Sequence, residues 1–281
     1  MKKPLHFGLI GENVGYTRSP EIFQAIYDLL KVRGKFEVHS VANGEFESRM
    51  RQLVLDGVRG FSITIPHKEK ALDCVDDLGP VAHAVKAVNS VCVERGRLYG
   101  YNTDHYGFAV PLRQYRHLVR SRRVMVLGCG GAARAVLYAL YKDFDIRRFT
   151  LVNRTPARAE KLADLCAETF DKSEFEVLPQ GAQSVERMHQ CALVVNCTPL
   201  GGPNHERATA IEVSHKHGAL KVYYDLNYNV NNPTIASFRK LGVKTLDGSG
   251  MLVGQALRSF DLWTGISVEF EPVYETVFGA N

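Results

Sequence analysis

Apolar residues along this chain fall into two alternating series, in which short strand-like runs are separated by stretches with helical spacing. In the N-terminal part the runs are Leu5–Ile10, Phe36–Val41, Phe61–Ile65 and Val88–Val93, with a further strand at Arg97–Tyr101. Between them, Glu21–Val32 and Glu45–Leu55 repeat apolar positions at three- and four-residue intervals, as an amphipathic helix requires. Ser19-Pro20 reads as an N-cap and first-turn pair for the first of these helices. A second series starts at Val124. Its strands are Val124–Leu127, Phe149–Asn153, Phe175–Leu178, Leu193–Asn196, Lys221–Leu226 and Val243–Leu246, and its helices approximate Ala132–Lys142, Pro156–Thr169, Gln183–His189 and Pro233–Leu241. The chain then turns helical near Met251–Gly265 and Pro272–Phe278. A helix after each strand serves as a crossover, so the pattern predicts two α/β domains with mainly parallel sheets.

Composition narrows the class. The 281 residues are 45% hydrophobic and 23% charged, which suits a globular chain large enough to bury a substantial core. Apolar runs such as Ala192–Val195 are far too short to span a bilayer, so no membrane partner is expected. Met-Lys-Lys-Pro-Leu-His-Phe at the start lacks the apolar core of a signal peptide, and the cytoplasm is the expected compartment. The six cysteines are scattered, without a C-x-x-C pair or metal-ligand spacing, as in a reduced protein with no metal site. A net charge of +5 is mild. The basic cluster Arg113, Arg116, Arg120, Arg122 and Arg123 reads as a solvated helix end and linker, and no nucleic-acid partner is expected.

Residues 124 to 158 carry the strongest chemical signal. Val124-Met-Val-Leu-Gly128-Cys129-Gly130-Gly131-Ala132-Ala133 is an apolar strand running through Gly-x-Gly-x-x-Ala into an alanine-rich helix. Gly128 permits the tight turn, Gly130 lets the backbone approach a pyrophosphate, and the small Ala133 lets helix and strand pack closely. A diphosphate there would meet the free N–H groups and positive end of the helix dipole. A chain selecting NAD normally places an acid about 20 residues on to hold the ribose diol. Here the second strand tip reads Asn153-Arg154-Thr155, with Arg158 one helical turn further. Guanidinium groups bind a 2'-phosphate bidentately where a carboxylate would repel it, so the cofactor predicted is NADP.

Three polar clusters sit where strands end, the edge at which open α/β sheets bind ligands. The first is Tyr16-Thr17-Arg18-Ser19-Pro20, whose two hydroxyls could hold a carboxylate or simply cap the helix. The second is Ser62-Ile-Thr64-Ile-Pro66-His67-Lys68, in which alternation puts Ser62 and Thr64 on one face, Pro66 ends the strand and Lys68 lies just beyond. The third comprises Asn89 and Asn102-Thr103-Asp104, around a hairpin-like pair of strands. Hydride addition to a carbonyl develops negative charge on oxygen, and a lysine beside an aspartate can answer it. Lys68 would stabilise or protonate the oxygen, while Asp104 orients the lysine and bonds a neighbouring hydroxyl.

Over nearly its whole length the chain resembles the shikimate dehydrogenase family. The resemblance rests on Thr17-Arg-Ser19-Pro20, Gly60-Phe-Ser-Ile-Thr64-Ile-Pro-His-Lys68-Glu, Ala87-Val-Asn89-Ser, Gly100-Tyr-Asn-Thr-Asp104-x-x-Gly107-Phe, Gly128-Cys-Gly-Gly-Ala, Asn153-Arg-Thr, Asp225-Leu-Asn-Tyr228 and Asp247-Gly-x-x-Met251-Leu-Val-x-Gln255-Ala. It implies a substrate-binding domain of residues 1–104 plus 249–281, a Rossmann-like NADP domain of residues 105–248, and an active site in the cleft between them. The implied reaction is the reversible NADPH-dependent reduction of 3-dehydroshikimate to shikimate, in aromatic amino-acid biosynthesis, by a monomer or homodimer.

By matching position, Lys68 and Asp104 take the catalytic roles, and Thr17 and Ser19 bind the substrate carboxylate. Thr64, Asn89, Asp104 and Gln255 bond the ring hydroxyls, and Tyr228 lines the site. Gly128, Cys129, Gly130, Gly131 and Ala132 form the diphosphate turn; Asn153, Arg154, Thr155 and Arg158 form the adenosine-phosphate pocket; Leu226 and Gly248 meet the nicotinamide end. Departures from the family pattern are Thr17 for the usual Ser, Ser62 where many relatives carry Asn, and Val230 and Asn232 for the common Pro and Thr. These leave open a quinate or quinate/shikimate dehydrogenase. A non-catalytic NADP-sensing regulator is a third possibility, against which both Lys68 and Asp104 are retained.

Overall fold

In the computed structural model, residues 4–202, 205–213, 218–228 and 232–279 are described. The chain forms two compact units, Met1–Gly107 with Leu252–Asn281, and Phe108–Met251. Among the described residues no helix is long and apolar enough to cross a membrane.

In the first unit β1 (Leu5–Gly11), α1 (Ser19–Leu30), β2 (Gly34–Ser40), α2 (Phe46–Leu55), β3 (Gly60–Ile63), β4 (Asp77–Leu78), α3 (Pro80–Val85), β5 (Ser90–Glu94) and β6 (Arg97–Tyr101) follow in order. They build a six-stranded sheet in the order β2-β1-β3-β5-β6-β4. β1 pairs in parallel with β2 and β3, and β4 with β6, but β5 runs antiparallel to both of its neighbours. β5 and β6 therefore form the hairpin that the sequence predicts around Asn89 and Asn102–Asp104. Arg95 and Gly96, both at positive φ, make a two-residue hairpin turn whose twist suits adjacent antiparallel strands. Alternation sorts the strand residues into two cores. Phe7 and Cys92 pack with Phe23 of α1 and with Phe260 and Trp263, while Ile10, Phe61, Ile63 and Val91 pack with Phe46 and Met50 of α2.

The second unit takes up most of α4 (Asp104–Leu112) and then α5 (Arg116–Val119), β7 (Arg123–Leu127), α6 (Gly131–Asp143), β8 (Arg148–Asn153), α7 (Pro156–Ala167), β9 (Glu174–Pro179), α8 (Ala182–Met188), β10 (Leu193–Asn196), β11 (Val222–Asp225), α9 (Pro233–Lys240) and β12 (Lys244–Leu246). Its sheet has the order β12-β11-β10-β7-β8-β9 and every pair is parallel. This is the doubly wound dinucleotide-binding arrangement, with its switch point between β7 and β10. Both faces are covered. Val124, Val126, Phe149 and Leu151 meet α4 to α7, and Met125, Leu127, Val152 and Tyr223 meet α8 and α9, which is why these strands read as unbroken apolar runs. Of the basic cluster, Arg113, Arg116, Arg120 and Arg122 are exposed, and Arg123 pairs with Glu176. The chain returns to the first unit within α10 (Ser249–Thr264) and ends in α11 (Phe270–Phe278).

Trp263 of α10 is wedged against Phe7 and Phe23, with ring centroids 4.9 and 5.6 Å away. Its ring covers Gly60 so closely that a Cβ there would lie 2.5 Å from it. Gly60→Ala should therefore overpack this core and lower unfolding stability by about 1–3 kcal/mol. Urea denaturation checks this, and an unchanged midpoint would mean that the ring is free to shift.

Candidate active site

The lysine and aspartate singled out by the sequence lie together in the first unit. After β3 the chain remains tied to β1, because Thr64 N donates to Ile10 O at 2.9 Å and Glu12 N to Ile65 O at 3.0 Å. The Ile65–Pro66 bond is cis, and His67 turns inward to stack on Phe46 and bond Val41 O at 2.8 Å. Lys68 then leaves a fixed backbone, its carbonyl held by Val88 N at 2.8 Å. Its Nζ lies 2.6 Å from Asp104 Oδ2, with the two side chains only 16% and 6% exposed. Asp104 is the first residue of α4, where a carboxylate faces the favourable end of the helix dipole.

Asn89 fixes the other side of that carboxylate. Its Nδ2 donates to Asp104 Oδ1 at 2.8 Å and to Thr103 Oγ1 at 3.0 Å, and its Oδ1 accepts Thr103 N at 2.6 Å. Asn102 Oδ1 accepts Asp104 N, and Thr103 Oγ1 lies 3.1 Å from Ser259 Oγ of α10. Each Asp104 oxygen thus has its own donor. Asn102, Thr103 and Ser259 extend the group beyond the residues assigned from sequence. The first two stood in a recognisable polar cluster, whereas Ser259 is an ordinary helix residue until the fold buries it.

The remaining substrate-side residues are bonded separately. Thr17 Oγ1 donates to Ser19 Oγ at 3.1 Å and accepts Ser19 N at 3.3 Å. Ser19 is not the N-cap of α1. Arg18 takes that position, Ser19 and Pro20 open the helix, and the Arg18 side chain makes no capping bond. As the first helical residue, Ser19 lies one position past the cap, and its N–H is taken by Thr17 Oγ1. Arg18 itself bonds Glu21 and Val277 O and lies over the Phe278 ring, anchoring α11. Thr64 is half-buried at the end of β3, and Gln255 Nε2 bonds Leu252 O within α10 at 2.9 Å.

In the second unit Gly128 ends β7 at φ +89°, a left-handed conformation that favours glycine, and a Cβ there would lie 2.8 Å from Thr198 Cγ2. Gly130 is the N-cap of α6, with no side chain capping it, and nothing stands within 4 Å of a Cβ at Gly130 or Gly131. That opening, over a bare helix N-terminus that Ala132 continues, fits a diphosphate. Cys129 lies in this turn, but burial pushes its thiol up to about 11, leaving little thiolate at neutral pH. β8 ends at Asn153, whose Nδ2 bonds Thr155 O at 2.8 Å. Arg154, Thr155 and Arg158 are exposed, and neither guanidinium has a carboxylate partner among the described residues, so both fit a 2'-phosphate. Leu226 and Gly248 are in contact, since a Cβ on Gly248 would lie 2.0 Å from Leu226 O. Tyr228 is half-buried just beyond β11, and Asn232 is the N-cap of α9; Val230 lies outside the described residues. Among the described residues no group of three or more His, Cys, Asp or Glu could hold a metal ion.

An all-parallel doubly wound unit with a glycine turn on its central strand, joined to an α/β unit bearing a buried lysine–aspartate pair, defines a two-domain α/β protein of the dinucleotide-binding class. The chain belongs to the shikimate dehydrogenase family. The family models for the shikimate dehydrogenase substrate binding domain and the shikimate 5'-dehydrogenase C-terminal domain match residues 9–91 and 248–278. That for the saccharopine dehydrogenase NADP binding domain matches residues 124–241. A shikimate dehydrogenase (NADP(+)) from Caldanaerobacter subterraneus subsp. tengcongensis is 35% identical over 97% of this chain and 96% of its own length. A shikimate dehydrogenase crystallised in complex with NADP+ superposes with a TM-score of 0.87 at 28% identity, covering 99% of this chain and 96% of that one. The shikimate 5-dehydrogenase of Thermus thermophilus, in complex with NADP(H) and shikimate, gives 0.82 at 27% identity, covering 97% and 98%.

If the exposed guanidinium of Arg154 holds a 2'-phosphate, neutralising it removes a charge-assisted hydrogen bond of about 1.5–3 kcal/mol. Arg154→Ala should then lower the preference for NADPH over NADH, measured as a ratio of kcat/KM, by about ten- to a hundredfold. An unchanged ratio would move the contact to Arg158.

Proposed function

We propose that this protein is an NADP-dependent shikimate dehydrogenase, which reversibly reduces 3-dehydroshikimate to shikimate in the pathway to the aromatic amino acids. The observation that carries the proposal is the buried Lys68–Asp104 pair with Asn89 on its far side. When bound, the nicotinamide supplies or accepts the hydride. Lys68 Nζ, held by Asp104 Oδ2, directs a remaining N–H toward the substrate oxygen and gives it a proton as charge develops there. In the reverse direction the same nitrogen takes that proton back. Asp104 and Asn89 also bond the neighbouring ring hydroxyls, with Thr64 and Gln255, and Tyr228 lines the site. Thr17 and Ser19 hold the substrate carboxylate, a role supported by two hydroxyls that lie together at the start of α1.

Residues 1–104 with 249–281 are the substrate-binding part and residues 105–248 the NADP-binding part. Gly128, Cys129, Gly130, Gly131 and Ala132 receive the diphosphate, Asn153, Arg154, Thr155 and Arg158 the adenosine 2'-phosphate, and Leu226 and Gly248 the nicotinamide end. We place the enzyme in the cytoplasm, as a monomer or homodimer.

Two experiments test this function. Shikimate and quinate, each assayed with NADP+ and with NAD+, should show turnover dominated by shikimate with NADP+. Dominant quinate turnover would reassign the substrate, and nucleotide binding without turnover would make the protein a sensor. Lys68→Ala should collapse kcat while the substrate KM moves little, because the proton is worth most in the transition state. A loss confined to KM would make Lys68 a binding residue.

A further inference from the structure

The second unit holds a buried carboxylate that the proposed chemistry leaves unused. Asp225 closes β11 and is 0% exposed. Its Oδ2 accepts hydrogen bonds from Asn196 Nδ2 at 2.9 Å, Tyr223 OH at 2.8 Å and Asn232 Nδ2 at 2.9 Å. Its Oδ1 accepts Asn227 N at 2.9 Å and Asn227 Nδ2 at 2.8 Å. Every partner is neutral, and no lysine or arginine among the described residues pairs with it. A carboxylate withdrawn from water without a cation must be satisfied by such donors, and its charge strengthens each bond it accepts.

Those donors belong to different segments at one edge of the sheet. Asn196 ends β10; its Oδ1 accepts Thr198 N at 2.9 Å and Thr198 Oγ1 at 2.6 Å, and its Nδ2 also reaches Leu200 O. Asn227 follows β11 and bonds Thr198 O at 3.0 Å and Leu200 O at 3.3 Å. The Asn227 carbonyl accepts Gly248 N at 3.0 Å, and Gly248 in turn lies against Leu226 O. Asn232 caps α9. One carboxylate therefore ties together the segment Asn196–Leu200, the segment Leu226–Asn227 and Gly248. The glycine turn is linked to it through the segment Asn196–Leu200 alone, where Cys197 N donates to Leu127 O at 2.8 Å and Gly128 packs on Cys197 and Thr198. Among the described residues the Arg154–Arg158 stretch makes no bond to it.

We propose that Asp225 is a positioning residue for the nicotinamide half of the dinucleotide site, setting affinity for that half and leaving the adenosine half untouched. This rests on the NADP reading above. The test is calorimetric titration of wild type and Asp225→Asn with NADP+ and with adenosine 2',5'-bisphosphate, which carries only the adenosine half. Asparagine keeps the shape but turns one acceptor oxygen into a donor facing other donors. NADP+ affinity should fall about tenfold or more, while bisphosphate affinity stays within about twofold. Unchanged NADP+ affinity, or parallel loss of both ligands, would overturn the positioning role. Should Asp225→Asn fail to fold, Asn227→Ala leaves the Oδ2 bonds in place, and the same pair of affinities decides. A wild type that does not bind the bisphosphate would overturn the dinucleotide reading, and the positioning role with it.

Discussion

A lysine withdrawn from water needs its charge met at close range, and the first unit is arranged around that constraint. Lys68 is met by Asp104 at 2.6 Å, but a carboxylate has two oxygens, and the one left over must also be satisfied. Asn89 supplies that donor, and its own amide oxygen accepts Thr103 N. The group can be assembled because β5 runs antiparallel between β3 and β6. The hairpin brings residue 89, just before β5, beside residues 102–104, just after β6, and the Lys68 carbonyl takes Val88 N. A wholly parallel sheet would have required a crossover of a dozen or more residues at that place.

The sequence was most legible where chemistry and periodicity agree. Strands of the second sheet declare themselves because both of their faces are buried, and the glycine turn needs its glycines for reasons that hold in any context. α4 was harder to read. Gly107 and Pro111 interrupt its pattern, both being poor helix formers, yet burial of Phe108, Ala109 and Leu112 outweighs that propensity. β4, with two residues, and α3, with six, are too short for any period to emerge. Ser19-Pro20 has the composition of a helix start, but the partner chosen by Ser19 Oγ depends on Thr17 two residues earlier, which propensity does not weigh.

The site followed the same division. Lys68, Asp104 and Arg154 are legible because a charge at a strand end is conspicuous. Ser259 and Asn196 are not, since a serine in a helix and an asparagine after a strand are common on surfaces. Each becomes informative only when the fold removes it from water, at 0% exposure in both cases. Asp225 lies between these extremes. It sits in a motif shared with the family, but its five neutral donors come from four residues, of which only Tyr223 and Asn227 are its near neighbours in sequence.

Both units place asparagine against the key carboxylate, and the choice has a chemical basis. Lysine and arginine only donate hydrogen bonds, so a cation beside Asp225 could reach backbone carbonyls but no backbone N–H group. An asparagine amide donates and accepts, and can pass order onward to peptide groups. Asn89 spends its donor on Asp104 and its acceptor on Thr103 N. Asn196 divides its bonds between Asp225 and Thr198, and Asn232 between Asp225 and the first N–H groups of α9. In the proposed reaction the carboxylate that serves proton transfer faces a lysine. In the proposed positioning role the carboxylate that holds loops faces amides bonded in turn to the backbone.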